Sequence, residues 1–148
     1  MPSRSRPPAV AAPADAALLL ARGLAQMRAD LDAGGAAFRD VLDLADARDD
    51  QRLVAASALL VVIGIADVDY AGFEHAVATV GATQAALDDI EVPDHRLVAD
   101  AGTLVAAWYH AADDPQVPTR AADLVRALRD ERLDPALRCI AGMVAIAG

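Results

Sequence analysis

The chain lacks lysine and asparagine altogether, holds one cysteine, and has only two Phe, two Tyr and one Trp among 148 residues. Each scarcity excludes something. A lone Cys139 cannot close an internal disulfide, and it suits a reducing, cytoplasmic setting. With no lysine, 13 arginines stand against 19 Asp and 3 Glu, and the net charge is −9. Phosphate backbones and anionic lipid call for a dense cationic face, so this balance speaks against nucleic-acid binding. The longest weakly polar run, Leu53 to Ala66, has 14 residues, short of the roughly 20 that cross a bilayer. No transmembrane helix is expected. Period-two alternation is absent too, and with it any sign of strands. Ala, Arg and Asp in place of Ser, Lys and Glu fit the codon usage of a GC-rich bacterial genome.

What remains is mostly alanine and aliphatic carbon: 55% of the residues are apolar and 37 are Ala. That is enough for one domain, since a folded chain of this size buries roughly 68–70% of its unfolded surface without a disulfide or metal. Residues 1–13 carry Arg4, Arg6 and four prolines with no apolar segment. They read as a disordered leader ahead of a helical domain over 14–148.

From Asp15 onward, apolar residues recur at three- and four-residue spacing in seven stretches, which predicts an all-α fold. The first, about 15–33, lines up Leu20, Leu24, Met27 and Leu31 and is expected to stop at Gly34-Gly35 through a left-handed glycine. A second over about 36–48 carries Phe38, Val41 and Leu42. The third, capped by Asp49 or Asp50, runs to about Ala66 and is apolar nearly all round, so it should be central. The fourth, about 71–88, carries Phe73, Val77, Val80 and Leu87. The fifth, about 94–112 with Asp94 as cap, carries Leu97, Ala101, Leu104 and Trp108. The sixth follows Pro118 with Ala121, Leu124, Val125 and Leu128. Asp134-Pro135, a cap followed by a first-turn proline, opens the seventh through Leu137, Ile140 and Val144.

The chain also repeats itself: Gln51-Arg52-Leu53-Val54-Ala55 returns as His95-Arg96-Leu97-Val98-Ala99, offset by 44, and loosely as Ala136-Leu137-Arg138. Helices three, five and seven are then equivalent, which gives an α-solenoid of antiparallel helix pairs with an unpaired seventh helix. Leu60, Ile63, Gly64, Phe73, Ala76 and Val80 fall at the packing positions of tetratricopeptide repeats. Val105, Trp108, Tyr109, Ala112, Ala121, Val125 and Leu128 give a second, poorer set in which Tyr109 stands where that family usually has Gly. Over about 50–135 the chain thus resembles a tetratricopeptide repeat, and with its longer period it is most similar to the version in sensor regions of large MalT-like bacterial transcription regulators. A HEAT-type pairing is the competing resemblance. Either one implies a scaffold for protein interaction, a regulatory module, with no catalytic residue to carry over.

Chemistry has few places to reside. Asp88, Asp89, Glu91, Asp94 and His95 crowd one loop but lack the order of a calcium-binding loop, and read as caps and solvated carboxylates. His75, His95 and His110 show no zinc spacing; no metal or cofactor is expected. General acid–base work by His75 with Asp67 or Asp69 would need them to meet across a cleft. Gly34-Gly35 lacks the residues of a phosphate loop. Ser57, inside an apolar helix, should bond back to its own backbone, and Cys139 should be a buried small hydrophobe. The best candidates for binding are Trp108 and Tyr109 with Tyr70, His110 at a helix C-terminus, and Arg96 and Arg120 as carboxylate-binding forks. The alternative to a scaffold is a small-molecule or enzymatic site near His110, Asp113 and Asp114. Finally, only Asp134 and Arg138 are charged between Asp134 and Gly148. A seventh helix so poor in charge predicts either a longer helical-repeat protein or a homodimer through that helix.

Overall fold

The computed structural model describes residues 12–66, 71–111 and 114–147. Seven α-helices account for most of them: α1 Ala12–Ala29, α2 Gly35–Asp43, α3 Asp49–Ala66, α4 Ala71–Thr83, α5 Pro93–Ala111, α6 Gln116–Ala127 and α7 Pro135–Ala147. Two 3-10 segments, Leu31–Gly34 and Gln84–Asp89, lie between α1 and α2 and between α4 and α5. No strand occurs among the described residues, and the fold is all-α. Among the same residues no helix is long and apolar enough to cross a membrane.

Every residue from Leu53 to Ile63 is buried. A helix without a polar face can only be satisfied by neighbours on all sides, and α3 packs on α1, α2, α4, α5 and α7. The first turn of α5 reaches Arg28 of α1 through Asp94 at 3.8 Å, α5 packs on α7, and its middle crosses α3 at contact distance. A Cβ on Gly102 would stand 2.2 Å from the Ser57 Cβ and 2.3 Å from its Cα, so glycine is required there. Among the odd-numbered helices α1, α3, α5 and α7, each packs on the next, and α7 returns to touch α3.

Several local expectations need correction. Gly34 has φ −80° and ψ −12°, an ordinary right-handed conformation. Its glycine is there for proximity: a Cβ would come within 2.4 Å of the Gly23 carbonyl oxygen, and one on Gly23 within 2.6 Å of the Phe38 ring. The first stretch accordingly divides into α1, ending at Ala29, and a 3-10 turn. Asp49 and Asp50 lie inside the first turn of α3, not at its cap. Arg48 takes that place, donating its backbone N–H to Gln51 Oε1 at 2.9 Å, the return half of a capping box. Asp94 is likewise one residue inside α5. Helix α6 starts at Gln116, two residues before Pro118; proline costs nothing there because first-turn amides have no partner within the helix. Val125 is 46% exposed, and Cys139 is exposed as well: α7 turns Leu137, Ile140, Ala141 and Val144 inward instead. Ser57 Oγ is buried without a hydrogen-bond partner among the described residues, held where α5 leaves no room. Ala12 and Pro13, expected in the leader, begin α1; residues 1–11 lie outside the described residues.

Candidate functional site

Val105, Trp108 and Tyr109 are spaced i, i+3 and i+4, so their side chains share one stripe near the C-terminal end of α5. The end of α3 meets that stripe with Val61, Ile63, Gly64 and Ile65, the start of α4 with Phe73, and the end of α7 with Met143 and Val144. Together they line an open groove of about 320 Å³. The Phe73 and Tyr109 rings stand edge to face with centroids 4.7 Å apart, a favoured aromatic geometry. Tyr109 is 51% exposed, and its hydroxyl donates to Glu74 Oε1 at 3.4 Å. That pair supplies the polar chemistry of the rim. Nothing here resembles a nucleophile with its base; the arrangement can take up apolar side chains or an apolar ligand.

Of the residues anticipated from sequence, Trp108 and Tyr109 are brought together in this groove. The other described candidates lie outside it. His110 and Arg120 line a cleft of about 200 Å³ with Thr103 and Gln116. Arg96 and Arg120 share another, of about 320 Å³, with Asp100 and Asp123. Burial pushes the Asp100 carboxyl above the usual carboxylate range, while Arg96 and Arg120 pull it back. The Arg96 Nε contact to Asp100 Oδ1 is long, at 3.5 Å. Tyr70 lies outside the described residues, as do Asp67, Asp69 and Asp113. Phe73 and Gly64 were visible in the sequence only as packing positions; the place of these two and of Met143 on the groove follows from how four helix ends converge.

At the opposite end of α5 the chemistry is ionic. Asp94 Oδ1 accepts the backbone N–H of Asp134 at 2.9 Å, and Asp134 Oδ2 accepts the N–H of Leu137 at 3.0 Å, which makes it the anticipated cap of α7. Arg28 lies 3.8 Å from Asp94 and 3.6 Å from Asp134. Beside them His95 is half-buried in a cleft with Arg48, Asp50 and Glu91. Burial holds its imidazole below the ordinary histidine value, with Asp94 opposing. Asp50 is held below the usual carboxylate range by its hydrogen bond from Arg48. No three His, Cys, Asp or Glu side chains gather as metal ligands among the described residues. No family model, curated protein or solved structure matches this chain.

Proposed function

We propose that the chain is a helical-repeat module for protein interaction, built as the pairs α1–α2, α3–α4 and α5–α6 with α7 added, and that it docks partners in the aromatic groove. One observation carries this reading: the groove opens beside large apolar side chains left in solvent, Tyr109 at 51%, Met143 at 41% and Ile146 at 87% exposure. Apolar groups collected around a concavity mark an interaction surface, whereas scattered ones do not. The pairing is supported by the burial of Leu53, Val54 and Ala55 on α3 and of their sequence counterparts Leu97, Val98 and Ala99 on α5. By its tetratricopeptide-like resemblance the module would serve a bacterial sensor or regulator.

Trp108, the only tryptophan, makes the groove its own reporter. Gly64 offers a way to fill it: a Cβ there would meet Val105 Cγ1 at an ordinary 3.8 Å, so Gly64→Leu should fold, checked by circular dichroism, and add bulk to the groove lining. Amphipathic helical peptides titrated against the chain should shift Trp108 emission to the blue and saturate, with Gly64→Leu weakening them about tenfold or more. Peptides that bind without moving Trp108 emission, and equally well to Gly64→Leu, overturn the reading. A second reading, a small apolar ligand, is favoured by the groove's volume of about 320 Å³, which lies at the lower end of the roughly 300–1,000 Å³ typical of ligand pockets. A thermal-shift screen of apolar metabolites tests it, because a ligand that binds only the folded chain raises Tm.

A further inference from the structure

Helix α7 has two apolar faces. Leu137, Ile140, Ala141 and Val144 face the core. Cys139, Met143 and Ile146 face solvent. The outer three are spaced i, i+4 and i+7, the interval at which one helix seams against another. The remaining sides offer little polarity: within α7 the single charged residue is Arg138. Met143 belongs to both features, lining the groove and standing on the outer stripe, with Ile146 the next stripe position along.

A concavity and an apolar projection beside it on the same helix form a self-complementary surface. A two-fold axis passing between them places the projection of each copy over the concavity of the other. We propose that two copies of the chain associate across the outer face of α7, each inserting Ile146 into the other's aromatic groove. This rests on the groove being a docking face and names its occupant.

Charge favours a second copy over a charged partner. The molecule carries a net −9, yet neither the outer stripe nor the groove lining includes a charged residue, and Glu74 is the carboxylate at the rim. Two such chains therefore meet where their mutual repulsion is weakest. On this face a charged peptide meets the Glu74 carboxylate, already accepting from the Tyr109 hydroxyl, and no charged side chain in the stripe or the groove lining. The repulsion that remains acts at longer range, so added salt should strengthen association by screening it. A contact held by ion pairs would weaken instead.

Light scattering at about 50 µM should give twice the 15.3 kDa chain mass. Trp108 emission should shift to the blue as concentration rises. Ile146→Glu removes the projection and Gly64→Leu fills the concavity; each should raise the dimer dissociation constant about tenfold or more. Leu18→Glu, at a residue 60% exposed on α1, should change nothing. Ile146 is so exposed that its substitution leaves the fold intact, and circular dichroism verifies this; Met143→Glu serves as the second variant on the stripe. Mixing Ile146→Glu with Gly64→Leu is the sharpest arm. The heterodimer keeps one intact insertion, the isoleucine of one chain in the open groove of the other, so the mixture should associate more tightly than either variant alone. A 15.3 kDa species persisting at about 200 µM overturns the proposal. So does a dimer indifferent to both substitutions, and so does a mixture no tighter than its components. A monomer that still binds helical peptides in the groove leaves the docking function standing and removes only the second copy as its occupant.

Discussion

The two ends of α5 solve different problems. At the N-terminal end, Asp94, His95 and Arg96 meet Arg28, Asp134 and Asp88, and the carboxylate of Asp94 is already occupied by the Asp134 amide and by Arg28. At the C-terminal end, Trp108 and Tyr109 meet aliphatic and aromatic carbon around an opening that no side chain fills. One end is polar and internally satisfied; the other is apolar and unsatisfied. Polarity is thus a poor guide to where a protein binds, since charged groups that have partners have little to offer a ligand.

Gly102, midway between the ends, gives the largest expected effect. Gly102→Val pushes α5 away from Ser57 and should cost about 3 kcal/mol or more, at or beyond the usual range for overpacking. Urea unfolding measures the loss, and Trp108 emission should move even in the folded variant, because both ends shift together. Asp134→Ala is narrower. It removes the cap on the Leu137 amide and the contact to Arg28, for about 1–2 kcal/mol, while Trp108 emission in the native state stays where it was. A change in that emission would mean that the two ends are not independent. His95→Gln is the smallest. With burial depressing the imidazole pKa below 6.5, the unfolded chain protonates first. Stability is therefore complete above pH 6.5 and declines as pH falls through the window beneath it. The variant should flatten that decline in thermal melts taken between neutral and mildly acid pH; an unchanged slope would assign it to other groups.

Much of the scaffold was legible because it depends on one-dimensional spacing. The seven stretches, the central place of α3 and the Asp134 cap all follow from which residues recur and which precede them. What escaped depends on how helices cross. Gly34 reads as a helix stop until the α1 backbone and Phe38 are seen against it. The back-bond expected of Ser57 required no knowledge of α5, and α5 is what surrounds that residue. Cys139 was misplaced because α7 is apolar on two sides, and periodicity alone does not say which side faces in. The candidate site divided for a related reason. Successive residues in a helix diverge by about 100°, so Tyr109 lies on the groove while His110 turns to the cleft it shares with Arg120. Arg96 stands near the far end of the helix.

The bond from the Asp134 amide to Asp94 spans 40 residues of sequence, and it bears on how the molecule opens. A helix whose first amide is held by its own neighbours can fray alone. Here the amide at the α7 boundary has its acceptor in the first turn of α5, so its protection from hydrogen exchange lasts only while both helices are seated. Sub-global opening should then release the start of α7 together with the start of α5 as one cooperative unit. Asp94→Ala would separate them, letting the Asp134 amide exchange ahead of the interior of α5.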